Sequence, residues 1–138
     1  MKISTKGRYA LRLMLDLAEH GTDKYIALKD IAHRQQISVK YLEQIVTSLS
    51  RAGFLKSLRG PQGGYKLSRQ PVQYKVGAIL RVTEGCIEPV VCLEDESNQC
   101  IRHGQCLTVG FWRGLQETIN DYIDTYTLAD LLQDKSKN

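Results

Sequence analysis

Apolar residues recur at helical spacing through the first part of the chain. The first stripe follows Ser4, a good N-cap residue, and stops at Gly21; it comprises Tyr9, Ala10, Leu13, Met14, Leu17 and Ala18. A shorter stripe covers residues 28–35, and a third runs from Ser38, another suitable N-cap, to about residue 52. The pattern therefore predicts three helices, of which the second and third are joined by a tight turn.

Two short extended segments, residues 54–58 and 64–68, follow the third helix. They flank the run R-G-P-Q-G-G, whose density of glycine and proline is typical of a tight hairpin tip. Gly53 stands where the third helix should end. A helix-turn-helix followed by a glycine-tipped hairpin predicts a mainly α fold, a winged helix-turn-helix with a small two-stranded wing.

Three further helices are predicted at about residues 76–83, 107–126 and 128–132. The long one carries an apolar stripe made of Trp112, Leu115, Ile119, Tyr122, Ile123 and Tyr126. Thr127 and Asp130 have the spacing of a capping box at the start of the last helix. The stripe is long for a chain this small, so we expect two copies of the long helix to pair.

The charge is divided unevenly along the chain. Residues 1–82 hold 15 Lys and Arg against 5 Asp and Glu, whereas residues 83–138 hold 4 against 10. A basic segment that coincides with a helix-turn-helix pattern indicates a partner that carries phosphates. The alternative is a basic surface that serves solubility alone.

Some classes of protein are not expected from this sequence. No apolar run approaches the about 20 residues of a membrane span, and the N-terminus lacks an apolar signal core, so we expect a cytoplasmic protein with no membrane partner. No nucleophile with a base, phosphate-binding glycine loop or cofactor fingerprint is recognisable, so an enzyme is not expected.

The third helix would be the one that enters the major groove. On its outward face, Lys40 suits phosphate or guanine, Gln44 can pair with adenine, and Glu43 can accept from cytosine or repel unsuitable sites. The residues expected at double-stranded DNA are Lys2, Lys6, Ser38, Lys40, Tyr41, Glu43, Gln44, Arg59, Gly60 and Gly63. The alternative is an ordinary solvated helix face.

Three cysteines, Cys92, Cys100 and Cys106, stand close together in a polar segment, with Cys86 upstream. Packing cannot order a segment this polar, but thiolates bound to a metal could. Soft thiolates select iron–sulfur clusters, zinc or copper(I), and the lack of a closely spaced cysteine pair disfavours zinc. A thiol–disulfide switch and unreactive thiols stay open as alternatives.

Several longer motifs are more specific. They are the opening M-K-I-S-T-K-G-R-Y-A-L, then V-K-Y-L-E-Q-I-V-T-S-L-S-R-A-G-F-L, S-L-R-G-P-Q-G-G-Y-K-L-S, the cysteine triad and L-T-V-G-F-W-R-G-L. Together they resemble the bacterial winged-helix transcription regulator family that includes IscR, NsrR and CymR. The resemblance covers nearly the whole chain and implies a homodimer that binds a palindromic operator. The triad places the chain with the iron–sulfur cluster-binding, IscR-like branch.

The resemblance to that branch is incomplete. Seven residues separate Cys92 from Cys100 and five separate Cys100 from Cys106, whereas cluster-binding relatives usually space the two pairs equally. Val109 stands where IscR-like members have a histidine ligand, and Arg8 stands where NsrR-like members have an acid. The fourth ligand is therefore open among His103, Cys86, a carboxylate of residues 94–96 and a residue of the partner subunit.

The chain thus divides into four predicted parts: a winged-helix DNA-binding domain (1–83), a cysteine-containing sensor loop (84–106), a dimerisation helix with a short terminal helix (107–132) and a disordered tail (133–138). The expected cofactor is an iron–sulfur cluster, 2Fe-2S rather than 4Fe-4S, with zinc as the alternative. The expected signal is cluster status, iron, oxygen or nitric oxide. The alternative functions are a zinc- or thiol-based redox regulator or interaction protein, and a cysteine-metabolism repressor of the CymR type.

Overall fold

The computed structural model describes residues 2–21, 23–94 and 100–134. Its helices are α1 (Thr5–His20), α2 (Leu28–Gln35), α3 (Val39–Arg51), α4 (Val76–Glu84), α5 (Val109–Thr125) and α6 (Leu128–Asp134). An antiparallel hairpin of β1 (Leu55–Leu58) and β2 (Gly64–Leu67) stands between α3 and α4. Single 3-10 turns lie at Pro71–Gln73, Val91–Leu93 and His103–Gln105. The predicted mainly α winged helix-turn-helix is confirmed.

The helix-turn-helix forms as its caps predict. Ser4 Oγ accepts from the Gly7 N–H at the start of α1, and Ser38 Oγ accepts from the Tyr41 N–H at the start of α3. Gln36 takes the left-handed conformation, φ 56°, that ends α2 and lets the chain turn into α3. Gly53, φ 78°, ends α3 as expected.

The core lies between the first four helices. Residues from all of them lose their entire accessible surface, among them Leu13, Met14, Leu17, Ile31, Leu42, Ile45, Leu49 and Ile79. These are the periodic apolar positions of the sequence, and their burial excludes water from the contact between α3 and α1. The polar face of α3 is left outside.

The wing is joined to this core by the backbone. Lys56 pairs with Lys66 across the hairpin, and Ile26 extends the sheet by exchanging two hydrogen bonds of 2.9 Å with Tyr65. Gly64 is needed at this edge because a Cβ there would collide with the carbonyl of Ile26. The base of the wing is therefore fixed, and its tip projects.

Several predicted boundaries are wrong by one or two residues. Residues 54 and 68 lie outside the strands, and α4 includes residue 84. Residues 107 and 108 form a turn before α5, which ends at Thr125. The last helix continues to Asp134, so the tail predicted from residue 133 is helical for two residues, and residues 135–138 lie outside the described ones. The capping box is present: Thr127 N–H donates to Asp130 Oδ2 at 2.8 Å, and Asp130 N–H to Thr127 Oγ1 at 3.2 Å.

Candidate functional site

The outward face of α3 is polar and accessible. Leu42, Ile45, Val46 and Leu49 hold the opposite face in the core. Lys40, Glu43, Gln44 and Thr47 are exposed, and the Thr47 hydroxyl turns back to donate to the Glu43 carbonyl at 2.8 Å. The long side chains of Lys40, Glu43 and Gln44 are thus free to reach a groove, with Ser38 exposed at the N-terminus of the helix.

Tyr41 is expected at the DNA together with Lys40 and Gln44, but its side chain is not fully exposed as theirs are. It is half-buried, and its ring meets the ring of Tyr9 edge to face, with 5.7 Å between centroids. The aromatic pair joins the first turn of α3 to α1. Tyr41 therefore contributes to the orientation of α3 whether or not its hydroxyl reaches DNA.

The start of α1 lies beside α3. Lys6 Nζ donates to Ser48 Oγ at 3.1 Å, which places this ammonium group at the flank of the exposed face. Lys2 and Arg8 are exposed, and Arg8 also donates to Thr5 Oγ1 at 3.2 Å. Three cations gather where the dipole of α1 is itself positive, an arrangement that a bound phosphate would stabilise.

The wing tip is a tight turn closed by a hydrogen bond of 2.9 Å from the Gly63 N–H to the Gly60 carbonyl. Gly60 has φ 113°, and a Cβ at Gly63 would collide with the carbonyl of Leu58. Arg59 is exposed at the start of this turn. Salt bridges in the described ranges join Asp16 to Arg34 and His20, and Arg81 to Asp124, so Lys40 and Arg59 keep their charge available.

The four cysteines are free thiols. Cys92 and Cys106 are half-buried, and Cys86 and Cys100 are exposed. Cys86 donates to Glu88 Oε2 at 2.6 Å, and this bond raises the pKa of the Cys86 thiol. Cys106 has the opposite environment: its sulfur lies 3.2 Å from Thr108 Oγ1, whose hydrogen bond to the thiolate lowers the pKa of Cys106. Of these two thiols, Cys106 is the better prepared to bind a metal.

The donor set fits a thiolate-bound metal centre in its chemistry, but it does not converge in the described residues. Across 2–21, 23–94 and 100–134, leaving out the side chain of His103, which the structure does not describe, no three His, Cys, Asp or Glu side chains are grouped closely enough to hold a metal ion. His103 begins a 3-10 turn, and Glu94 is exposed. Of the other candidate ligands, Asp95 and Glu96 lie outside the described residues.

The apolar stripe of α5 has two parts. Trp112, Ile119 and Ile123 are half-buried, and beside them α5 is bonded to α4, where Arg81 meets both carboxylate oxygens of Asp124 at 2.8 and 3.0 Å. Phe111, Leu115 and Tyr122 form a second apolar face with 67%, 37% and 63% of their surface exposed. Phe111 belongs to this face although the predicted stripe omitted it.

Sequence reasoning missed one residue that touches the candidate interface. Glu84, at the end of α4, accepts hydrogen bonds from the backbone and the hydroxyl of Ser4. No periodic pattern marks such a contact, because the two residues are far apart in sequence and both are polar. Among the described residues, no helix combines the length and hydropathy that a bilayer span requires.

An exposed polar helix, a glycine-tipped wing and the cations on and around them define a DNA-binding protein of the winged-helix class. The chain belongs to the Rrf2 family, whose description is "Iron-dependent Transcriptional regulator" and whose model matches residues 3–134. It is a transcriptional regulator of a family that binds DNA, and it is not an enzyme. The predicted family and the expected absence of catalysis are thereby confirmed.

Individual relatives extend this assignment. The chain is 41% identical over 137 residues to Protein rrf2 of Nitratidesulfovibrio vulgaris, covering 99% of this chain and 90% of that protein. It is 38% identical over 134 residues to the HTH-type transcriptional regulator IscR of Aliivibrio salmonicida, covering 97% and 79%.

Solved structures of two branches are also similar. CymR of B. subtilis, described as its global cysteine regulator, has a TM-score of 0.76 and 41% identity over 95% of each chain. IscR of T. potens has a TM-score of 0.77 and 40% identity over 98% of this chain and 88% of that one.

Proposed function

We propose that this regulator acts in the cytoplasm as a homodimer that binds a palindromic operator, and that an iron–sulfur cluster on Cys92, Cys100 and Cys106 controls the binding. The observation that carries the proposal is the set of three free thiols in a polar segment just before α5, in a family described as iron-dependent. Cluster supply, iron, oxygen or nitric oxide would be the signal.

DNA contact falls to α3, the wing tip and the start of α1. Base edges and adjoining phosphates would be contacted by Lys40, Glu43 and Gln44, with Ser38 and Tyr41 at the N-terminal end of the same helix. The DNA backbone or the minor groove beside it would be contacted by Arg59, Gly60 and Gly63, and a phosphate by Lys2 and Lys6. Support comes from the exposure of Lys2, Lys40 and Arg59 and from the lack of ion pairs at Lys40 and Arg59 among the described residues.

The cluster, when bound, supplies a group whose presence and oxidation state change with its supply and surroundings. The hydrogen bond from Thr108 lowers the pKa of the Cys106 thiol, which favours the thiolate form that binds metals. Cys86 donates a hydrogen bond to Glu88 that raises the pKa of its thiol, so Cys86 is less suited than Cys106 to bind a metal. We favour a 2Fe-2S cluster with His103 as the candidate fourth ligand; Cys86, a carboxylate of residues 94–96 and the partner subunit are the others.

Iron analysis tests this assignment. Protein purified without oxygen should contain iron and acid-labile sulfide and should absorb visible light. Each of Cys92→Ala, Cys100→Ala and Cys106→Ala should lose all three properties, whereas Cys86→Ala is the matched control and should keep them. Bleaching by Cys86→Ala with retention in Cys92→Ala would show that the triad is misassigned.

The fourth ligand needs its own variant. His103→Ala should alter the electron paramagnetic resonance signal of the reduced protein if the imidazole binds iron. A full cluster with an unchanged signal would exclude His103 and leave the other candidates.

A second candidate function is a zinc- or thiol-based regulator, including a cysteine-metabolism repressor of the CymR type. The similarity to CymR of B. subtilis favours the last of these. Zinc in place of iron would support a zinc-based regulator. Metal-free protein whose DNA affinity changes on oxidation and recovers on reduction would support a thiol-based regulator.

A further inference from the structure

Glu84 and Ser4 are hydrogen-bonded across 80 residues of sequence. Glu84 Oε1 accepts from the Ser4 backbone N–H at 3.0 Å and from the Ser4 hydroxyl at 2.6 Å. Ser4 is also the N-cap of α1, because its hydroxyl oxygen accepts from the Gly7 N–H. The last residue of α4 thus holds the N-cap residue of α1 in place.

Glu84 also supplies a charge that α1 lacks. The first turn of α1 contains no acidic residue, whereas Lys2, Lys6 and Arg8 surround it with positive charge. A carboxylate at this end offsets both the cations and the positive end of the helix dipole. Gly7 makes the approach possible, since a Cβ at that position would collide with Glu84 Oε1.

The contact continues to the recognition helix. Two residues after Ser4, Lys6 donates to Ser48 of α3 at 3.1 Å. A shift of the first turn of α1 would therefore move the Lys6 and Lys2 ammonium groups relative to α3. On its other side, Glu84 is followed directly by Gly85 and Cys86, where the cysteine segment begins.

We propose that Glu84 is a positioning residue for DNA binding: through Ser4 it holds Lys2 and Lys6 where they meet a phosphate next to the α3 contact. The inference rests on the proposed DNA face and is independent of any metal. Glu84 would then also connect the cysteine segment, which begins two residues later, to the N-terminal residues that face DNA.

The direction of the change in DNA affinity distinguishes this positioning role from a purely electrostatic effect of the Glu84 charge. Removal of a negative charge near DNA should by itself tighten binding. We expect Glu84→Ala to weaken binding about three- to tenfold, the range of one ordinary hydrogen bond. Glu84→Gln keeps an acceptor oxygen for Ser4 and should bind at least as tightly as the wild type. Glu117→Ala, which removes an exposed carboxylate of α5, is the control and should leave affinity unchanged.

Gly7→Ala tests the same contact without altering any charge. The new methyl group displaces the flexible Glu84 carboxylate, while alanine favours the helix more than glycine does. We expect weaker DNA binding together with little loss of thermal stability. The double variant of Gly7→Ala and Glu84→Ala should be no worse than Glu84→Ala alone, because both changes break one contact.

The measurement is fluorescence anisotropy on a palindromic duplex selected by the wild-type protein from random sequence. It is made at several salt concentrations and below the unfolding transition of every variant. Glu84→Ala should reduce the slope of log affinity against log salt by about one for each lost phosphate contact. Tighter binding by both Glu84→Ala and Glu84→Gln, or an unchanged slope in Glu84→Ala, would overturn the positioning role.

Lys2→Gln and Lys6→Gln separate this inference from the proposed DNA face. If neither changes affinity or salt slope, the N-terminal part of that face is wrong, and the role of Glu84 falls with it. If both weaken binding while Glu84→Ala and Gly7→Ala do not, the DNA face stands and the positioning role alone is refuted.

Discussion

Arg34 donates two hydrogen bonds to the buried carboxylate of Asp16, from Nε to Oδ2 at 3.0 Å and from Nη2 to Oδ1 at 2.6 Å. Gln35 Nε2 adds a third bond to Oδ2 at 2.9 Å. Asp16 is only 1% exposed, so its charge depends on these partners. The pair joins α2 to α1 and thereby fixes the first half of the helix-turn-helix.

Arg34→Ala should lower the free energy of unfolding by about 2–4 kcal/mol, because it leaves a buried carboxylate with fewer donors. Urea denaturation followed by circular dichroism measures this difference. Lys29→Ala, at an exposed position of the same helix, is the control and should change stability by less than about 0.5 kcal/mol. Equal stability of the two variants would contradict the structural role of the pair.

The same carboxylate should make stability depend on pH. Burial alone would raise the pKa of Asp16, but hydrogen bonds from Arg34 and Gln35 and the charges of Arg34 and His20 bring this pKa below its ordinary value. The unfolded state therefore takes up the proton first as pH falls, so the stabilisation is present above about pH 4 and is lost below it. In urea titrations between pH 6 and pH 2 (roughly the window of this linkage), Asp16→Asn should show a shallower fall in stability than the wild type. Parallel curves would contradict this prediction.

Tyr74 fixes the base of the wing. Its hydroxyl donates to the Phe54 carbonyl at 2.7 Å and accepts from the Ser68 and Arg69 N–H groups at 2.9 and 3.0 Å. Tyr74→Phe should lower the free energy of unfolding by about 1–3 kcal/mol, because it removes the bonds from this hydroxyl to the Phe54 carbonyl and to the Ser68 and Arg69 N–H groups. Tyr65→Phe is the matched control, since the Tyr65 contacts involve its backbone and ring, and differential scanning calorimetry should show little change.

Local signals in the sequence predicted most of the fold. Leu13, Leu42 and Gly53 sit where spacing and backbone preference require them, and the Thr127–Asp130 box closes as predicted. The start of α5 lies two residues later than the apolar pattern predicts. Leu107 is apolar but 99% exposed, and periodicity cannot distinguish a buried apolar residue from an exposed one.

The polar contacts of the candidate site could not be predicted in the same way. Glu84 meets Ser4, and Lys6 meets Ser48, only because the fold brings α4, α1 and α3 together. Long-range pairs of polar residues leave no period in the sequence. The apolar stripe of α5 could not be divided from the sequence either. Its half-buried and exposed residues form one continuous pattern, and only the contact with α4 shows which of them are covered.

Dimerisation should depend on the exposed apolar face of α5. Leu115→Asp should give monomers, because it puts a charge into a face that is accessible in the single chain and that a second copy would bury. Since Leu115 is already exposed, the fold itself should survive. Arg113→Asp, at an exposed position away from this face, is the control. Sedimentation velocity at micromolar concentration measures the outcome, and a monomeric wild type would refute the prediction.

Base recognition should depend on Gln44 and overall affinity on Arg59. Both side chains are exposed, one on the outward face of α3 and the other at the wing tip. Gln44→Ala should relax the preference for one base pair in each half-site, at a cost of about 1–3 kcal/mol for a lost bidentate contact. Arg59→Ala should weaken binding to all sequences alike and lower the salt dependence, because a phosphate or minor-groove contact carries little sequence information.

Anisotropy titrations at fixed salt separate the two effects. The duplexes are the selected palindrome, in which two-fold symmetry should place half-sites about one helical turn apart, and single-base variants of it. Arg113→Ala, on α5, controls for the loss of a positive charge remote from α3. If Gln44→Ala keeps full discrimination and Arg59→Ala keeps full affinity, this surface is not the one that meets DNA. If Gln44→Ala loses affinity equally for every duplex, Gln44 contacts the backbone, and the base preference must come from Lys40 or Glu43.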